Sequence, residues 1–303
     1  MAEWARAGLD AAAHAALARG LTGSQLWSLL LGVAEQRAAA NRPSDTLRQW
    51  TSDRFVAPCA IDQRTLLALD STLLRVAHAF EAVELSPLAP LGSCVAVAPL
   101  SQKRIVSTMR GSEVVSDPTN VLALECARRL RADPALQLRL ATSQRVVRAQ
   151  AVPPGRGFAA HFRLFCLASA AHERADHAFA VEAALEHLQT HLSALDALQA
   201  EGYAFGLRSV KLLATDARQH LAQRLHDRLH ALWPDVAIER APLRSAYYDG
   251  LRFIVDVQTT TGECIPLIDG GLFDWLHRLA DHNKLSYVAS GLGSQLAATL
   301  FRR

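Results

Sequence analysis

Residues Val146–Phe165 read VVRAQAVPPGRGFAAHFRLF, and they give the first indication of the fold. A β-like run at Gln144–Val147 leads into a loop rich in proline and glycine, Pro153–Gly157, and a second strand pattern follows at His161–Leu167. Two strand patterns joined by a loop of turn-forming residues are typical of a β-hairpin. We therefore predict antiparallel pairing at this point of the chain.

Helical and strand-like patterns alternate along the rest of the sequence. Apolar residues at helical spacing predict helices at Asp62–Phe80, Pro118–Arg131, Glu173–Ala200, His220–Leu232 and Phe273–Leu279. Extended patterns predict strands at Val83–Pro87, Val210–Ala214, Val236–Arg240, Leu251–Thr259 and Glu263–Ile268, and a strand-to-helix turn at Tyr287–Phe301. Strands joined by hairpins and grouped with long helices predict an α+β fold with an antiparallel sheet flanked by helices.

The Asp62–Phe80 helix carries an apolar stripe. Its members recur at alternating spacings of three and four, which places them on one helix face: Leu66, Leu69, Leu73, Val76 and Phe80. By itself this pattern favours a helix that faces the protein's own core. A surface for a second copy of the chain is the other interpretation.

Residues 1–52 are predicted to form an N-terminal helical extension, separate from a core at 53–303. Gly20 is a plausible end of one helix and Ser24 the start of the next. The second helix has apolar residues that must be buried against the core or a partner: Leu26, Leu29, Leu30 and Val33. The segment Asn41–Pro58 is the best linker candidate, because it contains Pro43 and small polar residues.

Composition limits the classes of function. The 303 residues are half apolar, the formal net charge is only +3, and no basic run of the kind that holds nucleic acid phosphates is present. The five cysteines are widely spaced and form no Cys-x-x-Cys pair, which predicts reduced thiols. The chain shows no leader pattern and no apolar stretch approaching the ~20 residues of a membrane span. We expect a cytoplasmic protein without membrane contact.

Two histidine pairs could in principle chelate a metal ion. His187 with His191 and His226 with His230 are each spaced four apart on a predicted helix, but neither has an HExxH pattern or a nearby third ligand. We interpret both pairs as solvated helix faces and expect no metal site. The sequence also has no GxSxG, GxGxxG or GxxxxGK[ST] motif.

Three separated patches share the order and content of a known set of motifs. Their sequences are FEAVELSP at Phe80–Pro87, the Val146–Phe165 stretch, and IDGGLFDWL with YVASGLGSQL within Ile268–Leu296. They resemble the signature motifs of class II aminoacyl-tRNA synthetases, specifically the histidyl branch and its non-catalytic relative, the regulatory subunit of ATP phosphoribosyltransferase. The resemblance covers residues 54–303. It implies a class II core that dimerises through the Asp62–Phe80 helix and the following strand. We expect no anticodon-binding domain, because only seven residues follow Leu296, and no specific tRNA binding, because the sequence has no basic stripe.

The resemblance implies a nucleotide site in the second patch. Arg148 matches the arginine that contacts the α-phosphate of ATP, and Phe162 matches the aromatic residue that stacks on adenine. Gln150 replaces an acidic residue of the family pattern. A further phosphate-binding arginine has no clear match, unless Arg156 or Arg163 substitutes for it.

The third patch keeps two glycines of the same implied nucleotide site, Gly291 and Gly293. Gln295 and Leu296 stand where the family has an acidic residue followed by the arginine that clamps the γ-phosphate. Since leucine cannot hold a phosphate, ATP in its reactive pose is not expected. The alternative interpretation of this glycine pattern is a purely structural strand-to-helix turn.

The resemblance also implies an amino-acid pocket. Its residues are the tyrosine pair Tyr247 and Tyr248, the glycine pair Gly270 and Gly271, and Asp117 with Thr119, which match the acid and hydroxyl that hold an α-ammonium group. Asp117 and Thr119 could equally cap the following helix. The histidyl pattern has an acidic residue directly before the tyrosine pair, and this chain has Ala246 at that position.

We therefore predict a non-catalytic synthetase paralogue that binds a small molecule such as an amino acid, as a regulatory or scaffold subunit. It would form a homodimer, could act with a catalytic partner protein in histidine biosynthesis, and would need no cofactor. The alternative is an adenylate-forming ligase that joins an amino acid to an acceptor other than tRNA, which would require ATP and Mg²⁺. A third interpretation is an interaction module with a vestigial pocket.

Overall fold

The computed structural model describes residues 3–98, 100–151, 158–280 and 284–302. Its helices are α1 (Glu3–Arg6), α2 (Ala11–Ala15), α3 (Gly23–Ala39), α4 (Pro43–Ser52), α5 (Gln63–Val76), α6 (Ser93–Val97), α7 (Pro118–Ala132), α8 (Ala178–Ala200), α9 (Gln219–Leu232), α10 (Trp275–Ala280) and α11 (Ser294–Leu300). Its strands are β1 (Glu81–Ala82), β2 (Leu88–Pro90), β3 (Ser112–Val114), β4 (Leu138–Val147), β5 (His161–His172), β6 (Arg208–Ala214), β7 (Ala237–Pro242), β8 (Leu251–Gln258), β9 (Cys264–Phe273) and β10 (Leu285–Leu292).

An eight-stranded sheet forms the centre of the described structure, in the order β1-β4-β5-β10-β9-β8-β6-β7. The strands from β4 to β6 in this order are antiparallel, which confirms the α+β prediction. Both edge strands are parallel to their neighbours, so the sheet is mixed. A parallel neighbour needs a crossover connection, and α9 supplies it between β6 and β7.

Helices cover both faces of the sheet. Helices α5, α8, α9 and α11 pack on one face over a large apolar core that includes Leu188 and Leu192. Helices α6, α7 and α10 pack on the other face over a second core that includes Leu122 and Trp275. The site described below lies on the α7 side.

The apolar stripe of α5 faces the protein's own core. Leu69, Leu73 and Phe80 belong to the core cluster, and Leu73 is fully buried. The expected strand at Val83–Pro87 does not form: the two-residue strand β1 lies just before it, and within the range Val83 donates one backbone hydrogen bond to Ala141. Dimerisation stays a prediction, and the stripe is not a free surface for it.

The N-terminal segment is helical, as predicted, but its details differ. Helix α3 begins after Thr22 rather than at Ser24, because Thr22 and Gln25 form a reciprocal capping box. The proposed linker contains helix α4, which starts at a proline and is supported by an ion pair between Arg42 and Asp45. No described residue of α3 is buried, so its apolar stripe does not join the core. The division at residue 52 and burial of the stripe against a partner stay predictions.

The interpretation of His187 and His191 as solvated is wrong, because both are fully buried between α8 and the sheet. Ser169 and Ser290 lie within hydrogen-bonding distance of their ring nitrogens, which makes burial of imidazole tolerable. His226 and His230 lie at the surface of α9, as predicted.

No group of three or more His, Cys, Asp or Glu side chains among the described residues could hold a metal ion. None of the described helices combines the length and apolar character that crossing a membrane requires.

Candidate functional site

A cavity of about 590 Å³ opens beside β5, β9 and β10 on the α7 side of the sheet. It is lined by all the residues predicted for the nucleotide and amino-acid sites except Gly271: Asp117, Thr119, Arg148, Gln150, Phe162, Tyr247, Tyr248, Gly270, Gly291 and Gly293. The structure therefore brings together residues that lie up to 176 positions apart in the chain. The predicted loop Pro153–Gly157, with Arg156, lies outside the described residues.

Asp117 both caps a helix and faces the cavity, so the two interpretations of this residue coexist. Its Oδ1 accepts hydrogen bonds from the backbone nitrogen of Thr119 at 3.0 Å and from the Thr119 hydroxyl at 2.7 Å. Its Oδ2 lies 3.4 Å from Nη2 of Arg148, which is a long ion pair. One carboxylate oxygen is thus committed to the start of α7, and the other is only weakly occupied.

Arg148 is held in place from two sides. Its Nε donates to the backbone oxygen of Ser116 at 2.9 Å, and its guanidinium carbon lies 5.1 Å from the centre of the Phe162 ring. This cation–π geometry fixes the guanidinium plane beside Asp117. A carboxylate and an oriented guanidinium next to one another form a site for a dipolar ligand with one ammonium group and one anionic group.

Arg163 does not reach the cavity. Side chains alternate along β5, so Phe162, Leu164 and Cys166 line the cavity while Arg163 points to the opposite face. There it forms an ion pair with Asp70 of α5. The interpretation of Arg163 as a substitute phosphate ligand is wrong.

The third patch forms the structural turn that the sequence left open. Strand β10 ends at Leu292 and α11 begins at Ser294, with the backbone nitrogen of Gly293 donating to Leu267. Gln295 is buried and accepts a hydrogen bond from Arg145 at 3.1 Å. Leu296 lines the cavity, so an apolar side chain stands where the resembled motif has its arginine.

Tyr247, Tyr248 and Phe273 form an aromatic wall of the cavity. The ring of Tyr247 meets those of Tyr248 and Phe273 edge-on, at centroid distances of 5.1 Å and 5.6 Å, and Trp275 lies behind them. Burial, followed by the charge of Asp117, raises the pKa of Tyr247, and burial raises the pKa of Tyr248 as well. Both hydroxyl groups are therefore neutral near physiological pH.

The glycine pair has a packing role. A Cβ atom on Gly270 would collide with Ser290 and would lie 2.5 Å from Cζ of Phe253. A Cβ atom on Gly271 would lie 2.8 Å from the ring of Tyr248. Gly271 does not line the cavity, but its missing side chain leaves room for the Tyr248 ring and for the backbone of Leu251.

Three residues of the cavity region were not predicted from the sequence. Asp269 lines the cavity and accepts hydrogen bonds from Tyr248 and from Arg252, which lies behind the wall. Arg104 lines the cavity as well, and its guanidinium has no partner among the described side chains. A charged residue directly before the glycine pair was the only sequence feature that could have drawn attention to Asp269.

Neither the protein-family models nor the curated protein sequences that were compared give a match to this chain. Solved structures do match, and they establish that the fold is that of a class II aminoacyl-tRNA synthetase core. The structural neighbours include histidyl-tRNA synthetase-like proteins and an ATP phosphoribosyltransferase regulatory subunit, as the sequence motifs predicted.

Three neighbours illustrate the similarity. The ATP phosphoribosyltransferase regulatory subunit/histidyl-tRNA synthetase from Bacillus halodurans C has a TM-score of 0.58 and 13% identity, with 80% of this chain and 82% of that chain covered. Histidyl-tRNA synthetase from Nostoc sp. PCC 7120 has a TM-score of 0.57 and 15% identity, with coverage of 81% and 74%. The putative threonyl-tRNA synthetase ThrRS-1 from Aeropyrum pernix has a TM-score of 0.61 and 11% identity, with coverage of 78% and 59%, so this chain spans less than two thirds of it.

Proposed function

We propose that this protein is a non-catalytic, amino-acid-binding member of the class II synthetase fold that acts as a regulatory or scaffold subunit, like the ATP phosphoribosyltransferase regulatory subunit. One observation carries the proposal. The cavity keeps Asp117, Arg148 and the tyrosine wall, but Leu296 lines it where the resembled motif has a phosphate-clamping arginine.

The geometry supports binding of an α-amino acid. The weakly occupied Oδ2 of Asp117 can accept from an ammonium group, and the guanidinium of Arg148 can donate to a carboxylate. Tyr247, Tyr248 and Phe273 offer an apolar surface to the ligand side chain. Because an ordinary ligand pocket is apolar with a few convergent polar groups, this cavity has the expected character.

Catalysis of adenylate formation is disfavoured because the described part of the cavity has too few positively charged side chains free to contact the phosphates. The reaction develops negative charge on the phosphates of ATP, and removing one preorganised donor from such a site costs about 100- to 1,000-fold in rate. Arg148 is already bound to Ser116 and paired with Asp117, and Arg163 lies on the other face of the sheet. Leu296 supplies no charge at all.

An adenylate-forming ligase with a non-tRNA acceptor is the second candidate, and Arg104 is the observation in its favour. Arg104 lines the cavity together with Arg148 and has no partner among the described side chains, so the two could contact different phosphates. Mg²⁺ would have to be held by carboxylate oxygens, and of the two carboxylates that line the described cavity Asp269 has both oxygens bonded to Arg252 and Asp117 has Oδ1 bonded to Thr119, which leaves only the weakly occupied Oδ2 of Asp117. The ligand that these residues fit better is an amino acid.

Binding is tested by thermal melting with each amino acid, on the wild type and on Asp117→Asn. Asparagine caps helices as well as aspartate does, so this change keeps the start of α7 and removes the charge that would face an ammonium group. We expect at least one amino acid to raise the wild-type midpoint and to lose this effect in the variant. The matched control is Asp274→Asn, which alters an exposed ion pair with Arg278. Absence of any shift in the wild type would contradict the proposal.

The proposed partners are a second copy of the chain and a catalytic protein, in the cytoplasm, and tRNA is not one of them. The net charge of +3 and the lack of a basic run support weak interaction with nucleic acid. Sedimentation at micromolar concentration tests the dimer. Filter binding at physiological salt tests the expected lack of specific tRNA binding, and tight retention of one particular tRNA would contradict it.

A further inference from the structure

The cavity lining contains a carboxylate whose charge is already neutralised by an arginine. Asp269 lines the cavity, and its Oδ1 accepts hydrogen bonds from the Tyr248 hydroxyl at 2.8 Å and from Nε of Arg252 at 3.0 Å. Its Oδ2 accepts from Nη2 of Arg252 at 2.7 Å. Arg252 and Asp269 thus form a bidentate ion pair, and Tyr248 donates a further hydrogen bond to the same carboxylate. Both carboxylate oxygens are therefore occupied.

The sheet register creates this pair. Arg252 of β8 lies opposite Gly271 of β9, so Asp269 is its diagonal neighbour on the same face. The guanidinium of Arg252 also lies 5.0 Å from the centre of the Tyr248 ring. Arg252 itself does not line the cavity, so it acts on the ligand site only through Asp269 and Tyr248.

Among the described residues, no other free carboxylate is available to the side chain of a bound amino acid, because the remaining charged lining residues either form the proposed site for the ammonium and carboxylate groups or are positive. Asp117 and Arg148 form their own pair, and the only further charged lining residue in the described part of the chain is the unpaired Arg104. The side chain of a bound amino acid would therefore meet aromatic rings and a neutralised carboxylate. A second positive charge on the ligand would lose its hydration without gaining a free anion.

We propose that Arg252 is a specificity-determining residue that makes this pocket select α-amino acids with uncharged side chains over lysine, arginine and protonated histidine. The inference rests on the proposed amino-acid-binding function. It goes further by naming the class of ligand and the residue that sets it.

Aromatic walls can themselves attract cations, and this is the competing effect. A cation on the face of a tyrosine ring is attracted by the negative face of the ring. In this pocket Arg252 already lies over the ring of Tyr248, so a ligand cation would be the second positive charge near the same ring. Repulsion between the two charges opposes the attraction.

The test compares lysine with norleucine, its analogue without the terminal ammonium group, by isothermal titration calorimetry at pH 7.5. We expect the Kd of the wild type for norleucine to be at least about tenfold lower than its Kd for lysine. Arg252→Gln frees the charge of Asp269 and should remove this preference. Asp269→Asn leaves Arg252 uncompensated and should increase it.

The control is Arg278→Gln, because Arg278 forms an exposed ion pair with Asp274 and neither residue lines the cavity. This variant should keep the wild-type ratio. Equal or tighter binding of lysine by the wild type would overturn the inference and leave the proposed function standing. An unchanged ratio in Arg252→Gln, or in Asp269→Asn if Arg252→Gln does not fold, would also overturn it. If no amino acid binds the wild type at all, the proposed function fails and the inference fails with it.

Discussion

Nδ1 of His187 lies 2.9 Å from the Oγ of Ser290, which joins the buried face of α8 to strand β10. The same hydroxyl lies 2.8 Å from Nε2 of His191, and Ser169 completes the cluster at 3.0 Å from His187. One serine hydroxyl thus serves two fully buried imidazoles. Nδ1 of His191 has no hydrogen-bond partner among the described residues.

This cluster predicts a specific dependence of stability on pH. Burial lowers the pKa of His191 to about 3, and burial, His191 and Arg139 lower the pKa of His187 well below its usual value. In the unfolded chain both histidines titrate near 6.5, so below that pH the unfolded state takes up protons that the folded state cannot. The free energy of unfolding should fall by about 1.4 kcal/mol per pH unit for each histidine as the pH drops from about 6.5 towards 3.

The measurement is urea unfolding at several pH values, with the double variant His187→Gln/His191→Gln as comparison. The variant should lose the part of the slope between pH 6.5 and 5 that the two histidines contribute. His226→Gln/His230→Gln is the matched control, because these residues have the same spacing on a surface helix. Equal slopes in the wild type and the buried-pair variant would contradict the account.

Helix α5 allows a direct test of which face is buried. Leu73 is fully buried, whereas Leu67 on the same helix is 59% exposed. Leu73→Ala should lower the free energy of unfolding by about 2–5 kcal/mol, as large-to-small changes in a core do. Leu67→Ala should change it by less than about 0.5 kcal/mol. Chemical denaturation of both variants decides the matter, and a larger effect at Leu67 would show that this exposed side is the packed one.

Gly270 should be intolerant of the smallest side chain. A Cβ atom there would lie 2.8 Å from the backbone oxygen of Ala289, which cannot move without disturbing the sheet. Gly270→Ala should therefore destabilise the protein by about 1–3 kcal/mol, as overpacking does. In Gly32→Ala, no described heavy atom beyond the backbone of the same helix and the two neighbouring residues lies within 4 Å of the new Cβ, so the thermal midpoint should not decrease. Equal midpoints for the two variants would show that Gly270 is not packed as described.

Much of the fold could be predicted from the sequence, because periodic apolar patterns mark buried faces. The hairpin around Val146–Phe165 and helices α5, α7 and α9 lie where their patterns place them. Strand β9 was expected to end at Ile268, yet it continues through both glycines to Phe273. Glycine usually interrupts a strand, and here neighbouring side chains fill the space that a Cβ atom would need.

The site residues that belong to local sequence motifs could be predicted. The site residues whose role depends on contacts between distant parts of the chain could not. The motifs place Asp117, Arg148 and the tyrosine pair, and the structure brings them to one cavity. The pairing of Arg252 with Asp269 depends on the β8–β9 register, which shifts at an irregularity between Val255 and Asp256. Burial of His187 depends on Ser290, which lies 103 residues further along the chain. A local sequence pattern therefore predicts neither the Arg252–Asp269 pair nor the burial of His187.

The proposed function requires this class II fold to bind an amino acid without activating it. The most direct test is amino-acid-dependent exchange of pyrophosphate into ATP with all twenty amino acids, run beside thermal melting of the same protein preparation. We expect no exchange above background and a raised midpoint with at least one amino acid; a ligand at 100 times its Kd stabilises the folded state by about 2.7 kcal/mol. Robust exchange with any amino acid, abolished by Arg148→Ala, would contradict the account and establish an adenylate-forming enzyme.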